Sequence, residues 1–101
     1  MPKLYEYLGL ILRFFSNDHE PIHVHAFYKE SQLKVEFTIE NGIITNITYS
    51  QVAGYSIIPK AKMKDLEALI EVSKYDLIQL WVKFYVLNEK VSCKKITTKL
   101  K

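Results

Sequence analysis

The residues best suited to chemistry in this chain are gathered in one place. All three histidines, His19, His23 and His25, lie within the stretch Phe15-Ser16-Asn17-Asp18-His19-Glu20-Pro21-Ile22-His23-Val24-His25. His23 and His25 are spaced i, i+2, so on a β-strand they share a face and sit about two strand rises apart. Their rings can converge on one ion, with His19 or Asp18 as a third donor. Neutral imidazole suits a divalent transition metal such as Zn. The same pair can instead act as general base and general acid near neutral pH, with Arg13 or a lysine holding a phosphate. That constellation fits metal-independent RNA cleavage. A third reading is structural: Asn17 and Asp18 cap a turn, Pro21 stiffens it, and the imidazoles hydrogen-bond backbone or carboxylate groups. Nucleophilic catalysis is disfavoured, because no serine or cysteine is arranged for a triad and Cys93 is remote in sequence. The candidate catalytic residues are therefore His19, His23, His25 and Arg13. Asn17 and Asp18 are the orienting candidates, and His19, His23 and His25 the metal ligands. Whether the chain is an enzyme stays open.

The elements that must position these residues follow from hydrophobic periodicity. Leu4 to Phe15 reads as one strand, with Leu8, Leu10, Leu12 and Phe14 on one face. Ile11, Arg13 and Phe15 fall on the other. Ser16 to His19 carries turn chemistry, and Glu20, preceding Pro21, is expected to be extended. Ile22 to Tyr28 is the next strand, with His23, His25 and Phe27 on one face and Ile22, Val24, Ala26 and Tyr28 on the other. Lys29 to Gln32 reads as a polar turn. Leu33 to Glu40 alternates cleanly, Leu33, Val35, Phe37 and Ile39 inward. Asn41-Gly42 signals a type I′ hairpin turn, and Ile43 to Tyr49 returns. After an irregular stretch the period changes to 3.6: Leu66, Leu69, Ile70, Ser73, Leu77, Leu80, Trp81, Phe84 and Leu87 line one helical stripe from Pro59 to about Asn88. Two helices meeting near Ser73 are the fallback. Val91 to Leu100 can form a last short strand. The fold class is α+β, an antiparallel meander of four to five strands packed against one long C-terminal helix.

The second half of that helix is apolar almost all round. Ile78, Val82, Tyr85 and Val86 make a second stripe that must meet the C-terminal segment or another subunit, and a homodimer through these residues is expected.

Composition bounds the rest. At 101 residues, 49% hydrophobic and 25% charged, the sequence is that of a single globular domain over residues 1–101. A single cysteine excludes an internal disulfide and a cysteine zinc site, and it fits a reducing cytoplasm. No apolar run approaches the roughly 20 residues of a membrane span. Net charge is +3, too little by itself to argue for nucleic acid. Lys90 to Lys101 nevertheless contains five lysines and no acid. That strip reads either as a solvated edge or as a surface for phosphate or an acidic partner.

The stretch from Phe15 to His25 resembles the F-x-N-D-H-x-P-P-H-x-H signature of a small bacterial domain family of unknown function, numbered 4160. The resemblance takes in the preceding apolar strand with Arg13, the Asn41-Gly42 hairpin and the long helix with Trp81. Ile22 stands where the signature has its second proline, so a rigid Pro-Pro turn is not required. Carried over residue by residue, the signature positions are Asn17, Asp18, His19, Pro21, His23 and His25. The family has no established activity. Its members are often encoded beside another short domain, which implies a bacterial cytoplasmic module acting with a protein partner in a toxin–antitoxin-like pair. RNA is the weaker expected partner.

Overall fold

The computed structural model describes residues 2–14 and 22–100. The chain runs β1 (Lys3–Tyr7), β2 (Leu10–Arg13), β3 (His23–Tyr28), β4 (Ser31–Glu40), β5 (Ile43–Gln51), α1 (Lys60–Trp81) with a π-helical extension (Val82–Val86), and β6 (Lys94–Ile96). The six strands form one sheet in the order β5-β4-β3-β2-β1-β6. The first five are an antiparallel meander, and β6 joins the β1 edge in parallel. The helix covers one face, and the fold is α+β.

Alternation decides which face the helix covers. Leu10 and Leu12 of β2, Val24 and Ala26 of β3, and Leu33, Val35 and Phe37 of β4 are buried in one cluster with Leu66, Leu69, Ile70, Leu77 and Leu80 of α1. The helix is continuous through Ser73, so the fallback of two helices does not occur. Ser73 is tolerated on the buried stripe because its hydroxyl donates to the Leu69 carbonyl 2.7 Å away. At the far end of the helix, Phe84 and Tyr85 both reach Phe14, with ring centroids 5.8 and 5.4 Å away.

Three sequence expectations are corrected. The single strand from Leu4 to Phe15 is a hairpin, turning at Leu8-Gly9, and Phe15 lies outside the described residues. Leu8 is therefore in the turn and exposed rather than on the buried face. Leu8 has φ 49° and Gly9 φ 85°, the paired left-handed geometry of a two-residue hairpin turn. A Cβ on Gly9 would approach Tyr28 Cε1 to 3.1 Å, so glycine is demanded twice over. Leucine in the left-handed region is the costly partner, by about 1–2 kcal/mol. Leu8→Asn should raise stability by about 0.5–1 kcal/mol. A thermal melt several degrees above wild type would check it, and no rise would mean that Leu8 is held by packing. Second, β4 begins at Ser31, not Leu33, so Gln32 belongs to the sheet. Third, the last strand is only Lys94–Ile96. By contrast, Asn41 (φ 53°) and Gly42 (φ 79°) form the expected type I′ turn.

The tail is fastened to β1. The Tyr5 hydroxyl donates to Asp76 of the helix at 2.6 Å, Lys94 pairs with the same oxygen at 2.7 Å, and the Leu100 amide donates to the Tyr7 hydroxyl at 2.8 Å. Burial, with the hydrogen bond to Asp76 and its charge, pushes the Tyr5 phenol well above its ordinary value. Burial, with the charges of Glu67 and Glu71, pushes Tyr49 up to about 12. In both, the fold favours the neutral phenol. The resulting stability is complete below the unfolded value of about 10 and is lost as pH rises through the folded value. Urea midpoints should fall between pH 10 and pH 12. Tyr49→Phe should flatten that fall, whereas an unchanged slope would detach Tyr49 from it.

Candidate functional site

The described part of the histidine stretch lies on the sheet face opposite the helix. Val24 and Ala26 point into the core with no exposed surface, so His23, His25 and Phe27 of the same strand point the other way. The strand neighbours fix what surrounds them. Arg13 of β2 lies across from His25, and Lys34 of β4 flanks it on the other side. His23 lies across from Glu36, and Lys34 reaches Glu36 at 3.3 Å. Arg13, His25 and Lys34 thus form a row of basic side chains across three strands, with Glu36 one step along.

Despite facing away from the helix, both histidines are buried, at 8% and 7% exposure. Their ring centroids are 5.2 Å apart and nearly perpendicular, at 70°. This is the separation of an edge-to-face pair. It is also that of two imidazoles on one tetrahedral ion, where Zn–N bonds of about 2.0–2.1 Å set the centroids roughly 5 Å apart. His25 Nδ1 lies 3.0 Å from Gln32 Oε1, and Gln32 is 1% exposed. With the amide oxygen accepting, Nδ1 carries the hydrogen and Nε2 keeps its lone pair. That tautomer can take a proton or ligate a metal through Nε2. The Arg13 guanidinium stands 5.8 Å from the centre of the Phe27 ring, a cation–π contact that steers it along the same face.

The structure therefore brings His23, His25 and Arg13 together, as the sequence predicts. Asn17, Asp18 and His19 lie outside the described residues. Among the described residues, no three histidine, cysteine, aspartate or glutamate side chains are arranged to hold a metal. A third ligand would have to come from elsewhere. Gln32 is the residue that the sequence reading missed. Its signal was present: carrying the β4 alternation one step back from Lys34 puts Gln32 on the histidine face. The polar run Lys29-Glu30-Ser31-Gln32 hid it by reading as a turn.

The second apolar stripe of the helix is divided. Ile78 and Tyr85 are half-buried, Tyr85 with its ring 5.1 Å from Trp81 and 4.8 Å from Phe84, while Val82 and Val86 are exposed. Cys93 is free and exposed. Among the described residues, no helix is long and apolar enough to cross a membrane.

The family model described as Domain of unknown function (DUF4160) matches residues 9–82. It covers most of the chain, from the hairpin glycine through the end of α1, and the chain belongs to that family. No curated protein matches the sequence. No solved structure matches it either.

Proposed function

We propose that this DUF4160 chain is a small cytoplasmic recognition module of a two-gene, toxin–antitoxin-like system. Its binding surface is the sheet face opposite the helix, and its partner is the protein encoded beside it. The observation that carries this reading is the row Arg13–His25–Lys34 across β2, β3 and β4, set around a buried histidine pair. Arg13 and Lys34, held on either side of His25 by strand register, present two cations that suit an acidic surface on a partner. Such charge complementarity sets specificity and association rate more than raw affinity. Lone Cys93 and the family resemblance support the cytoplasmic assignment. The test is co-expression with the neighbouring gene's product. The two proteins should co-purify at physiological salt, and the double charge reversal Arg13→Glu, Lys34→Glu should weaken the complex by at least about tenfold. Separate elution of the wild-type proteins would overturn the reading.

One observation favours a second reading. The Gln32 bond to His25 Nδ1 prepares Nε2 for chemistry, which a purely contact-making histidine does not need. Under this reading His23 and His25, with His19 as a further donor, bind a metal such as Zn or act as base and acid on RNA, with Arg13 on a phosphate. Native protein should then contain metal, and added Zn should raise its melting temperature. Failing that, it should cleave RNA without metal, and His23→Ala should slow cleavage by about 10²–10⁴-fold. Metal-free protein that neither shifts with Zn nor cleaves RNA would remove this reading.

A further inference from the structure

The sheet has two edges, and they are treated very differently. A strand edge offers unpaired N–H and C=O groups to any other chain, and natural proteins usually guard it with lysines, prolines, bulges or brevity. β6 is guarded: it has three residues, and two of them are Lys94 and Lys95. β5 is the other edge. Its nine residues, Ile-Ile-Thr-Asn-Ile-Thr-Tyr-Ser-Gln, include no charge and no proline, and they are rich in strong strand formers.

Only the first part of β5 is blunted. The register shifts between Thr38 and Ile39, which leaves Thr45 outside the pairing, and the Ile44 N–H donates to the Tyr75 hydroxyl at 3.3 Å. From Asn46 to Gln51 the pairing with β4 is regular. The outer side of this six-residue segment has no strand beside it among the described residues.

We propose that β5 is a homodimer interface, in which two copies pair antiparallel about a two-fold axis at Thr48 to make one continuous sheet. The occupant is argued from the segment's self-complementarity. An isologous contact sets a patch against itself, and antiparallel pairing centred on Thr48 sets Thr48 against Thr48, Asn46 against Ser50 and Ile47 against Tyr49. On the polar face this gives hydroxyl and amide partners. On the helix face it gives aromatic–aliphatic pairs, the combinations that stabilise cross-strand neighbours. No charge meets a like charge. The same axis brings the start of one β5 to the end of the other. Exposed apolar side chains stand at both places: Tyr75 of the helix, whose hydroxyl meets the Ile44 N–H, and Tyr55 just beyond Gln51. Pairing through β5 brings these two ends together, and it moves the dimer away from the Val82/Val86 surface of the helix. The proposal does not depend on the function of the histidine face.

The test is the mass of the full chain in solution, by sedimentation or light scattering. Wild type should be a dimer that dissociates on dilution. Thr48→Lys, at an exposed position, sets two ammonium groups opposite each other and should weaken the dimer by about 100-fold. Val86→Glu should leave it intact. Circular dichroism must show that Thr48→Lys is folded. Independently of any variant, the amides of residues 46–51 should lose hydrogen-exchange protection as wild type is diluted. A monomeric wild type would overturn the proposal. So would a Thr48→Lys chain that is folded and dimeric, dissociation by Val86→Glu, or protection of β5 that appears only when a different protein is added.

Discussion

Phe14→Ala is expected to lower the unfolding free energy by about 3–5 kcal/mol. Phe14 has no exposed surface. Its ring stacks on Phe84 at 26° and tilts against Tyr85 at 56°, so it fastens the last turns of the helix to the end of β2. Truncation loses the transfer energy of the ring and leaves a cavity that Phe84 and Tyr85 can fill only in part. In a domain whose total stability is about 5–15 kcal/mol, this is a large fraction. Phe14→Leu keeps most of the volume and should cost clearly less. Urea titration should show the midpoint of Phe14→Ala moving far below wild type with little change in slope. A loss below about 1 kcal/mol would mean that the helix end is held without this cluster. The effect should also reach the site, because Phe14 directly follows Arg13, which flanks His25.

Gln32→Leu is expected to cost about 1–3 kcal/mol, although the exchange conserves volume and adds apolar surface. The cost arises because His25 Nδ1–H loses its amide acceptor in a buried setting. The more informative readout is the tautomer. Nitrogen chemical shifts should show His25 protonated at Nδ1 in wild type and a mixture of tautomers in the variant. A wild-type His25 protonated at Nε2 instead would remove His25 as a metal ligand and as a general base through Nε2, since each of those roles needs the Nε2 lone pair. A charge-complementary docking face would survive that result. The experiment therefore tests the chemical role of His25 at a single atom.

The contrast between Gln32 and Leu8 shows where sequence reasoning reaches its limit. Leu33 to Glu40 alternates, so its buried and exposed positions were legible, but a strand's first residue is set by its partner's length. β3 runs to Tyr28, which pairs with Ser31, and this draws Gln32 into the sheet. The Leu8-Gly9 turn was invisible for the opposite reason. Leucine is a poor left-handed residue, and the apolar run through Leu8 mimicked an unbroken strand. Asn41-Gly42, with the same geometry and a fitting composition, was read correctly. The long helix was legible because its stripe repeats from Leu66 to Trp81, and Ser73 within it did no harm once its hydroxyl bonded back to Leu69.

The sequence by itself determined the local quantities. It placed His23 and His25 on one strand face with Arg13 nearby, set the helix register, and named the family through a motif. These depend on side-chain period and on residue types a few positions apart, which the linear order carries. Only the tertiary structure decided that the histidine face lies opposite the helix and that Arg13, His25 and Lys34 form one row. It also decided that a glutamine fixes the imidazole and that, among the described residues, one sheet edge is guarded while the other has no strand beside it. Each of these depends on which strands become neighbours and in what register. That is settled by the joint burial of residues far apart in the chain, as when β6 returns from the far end of the sequence to pair with β1.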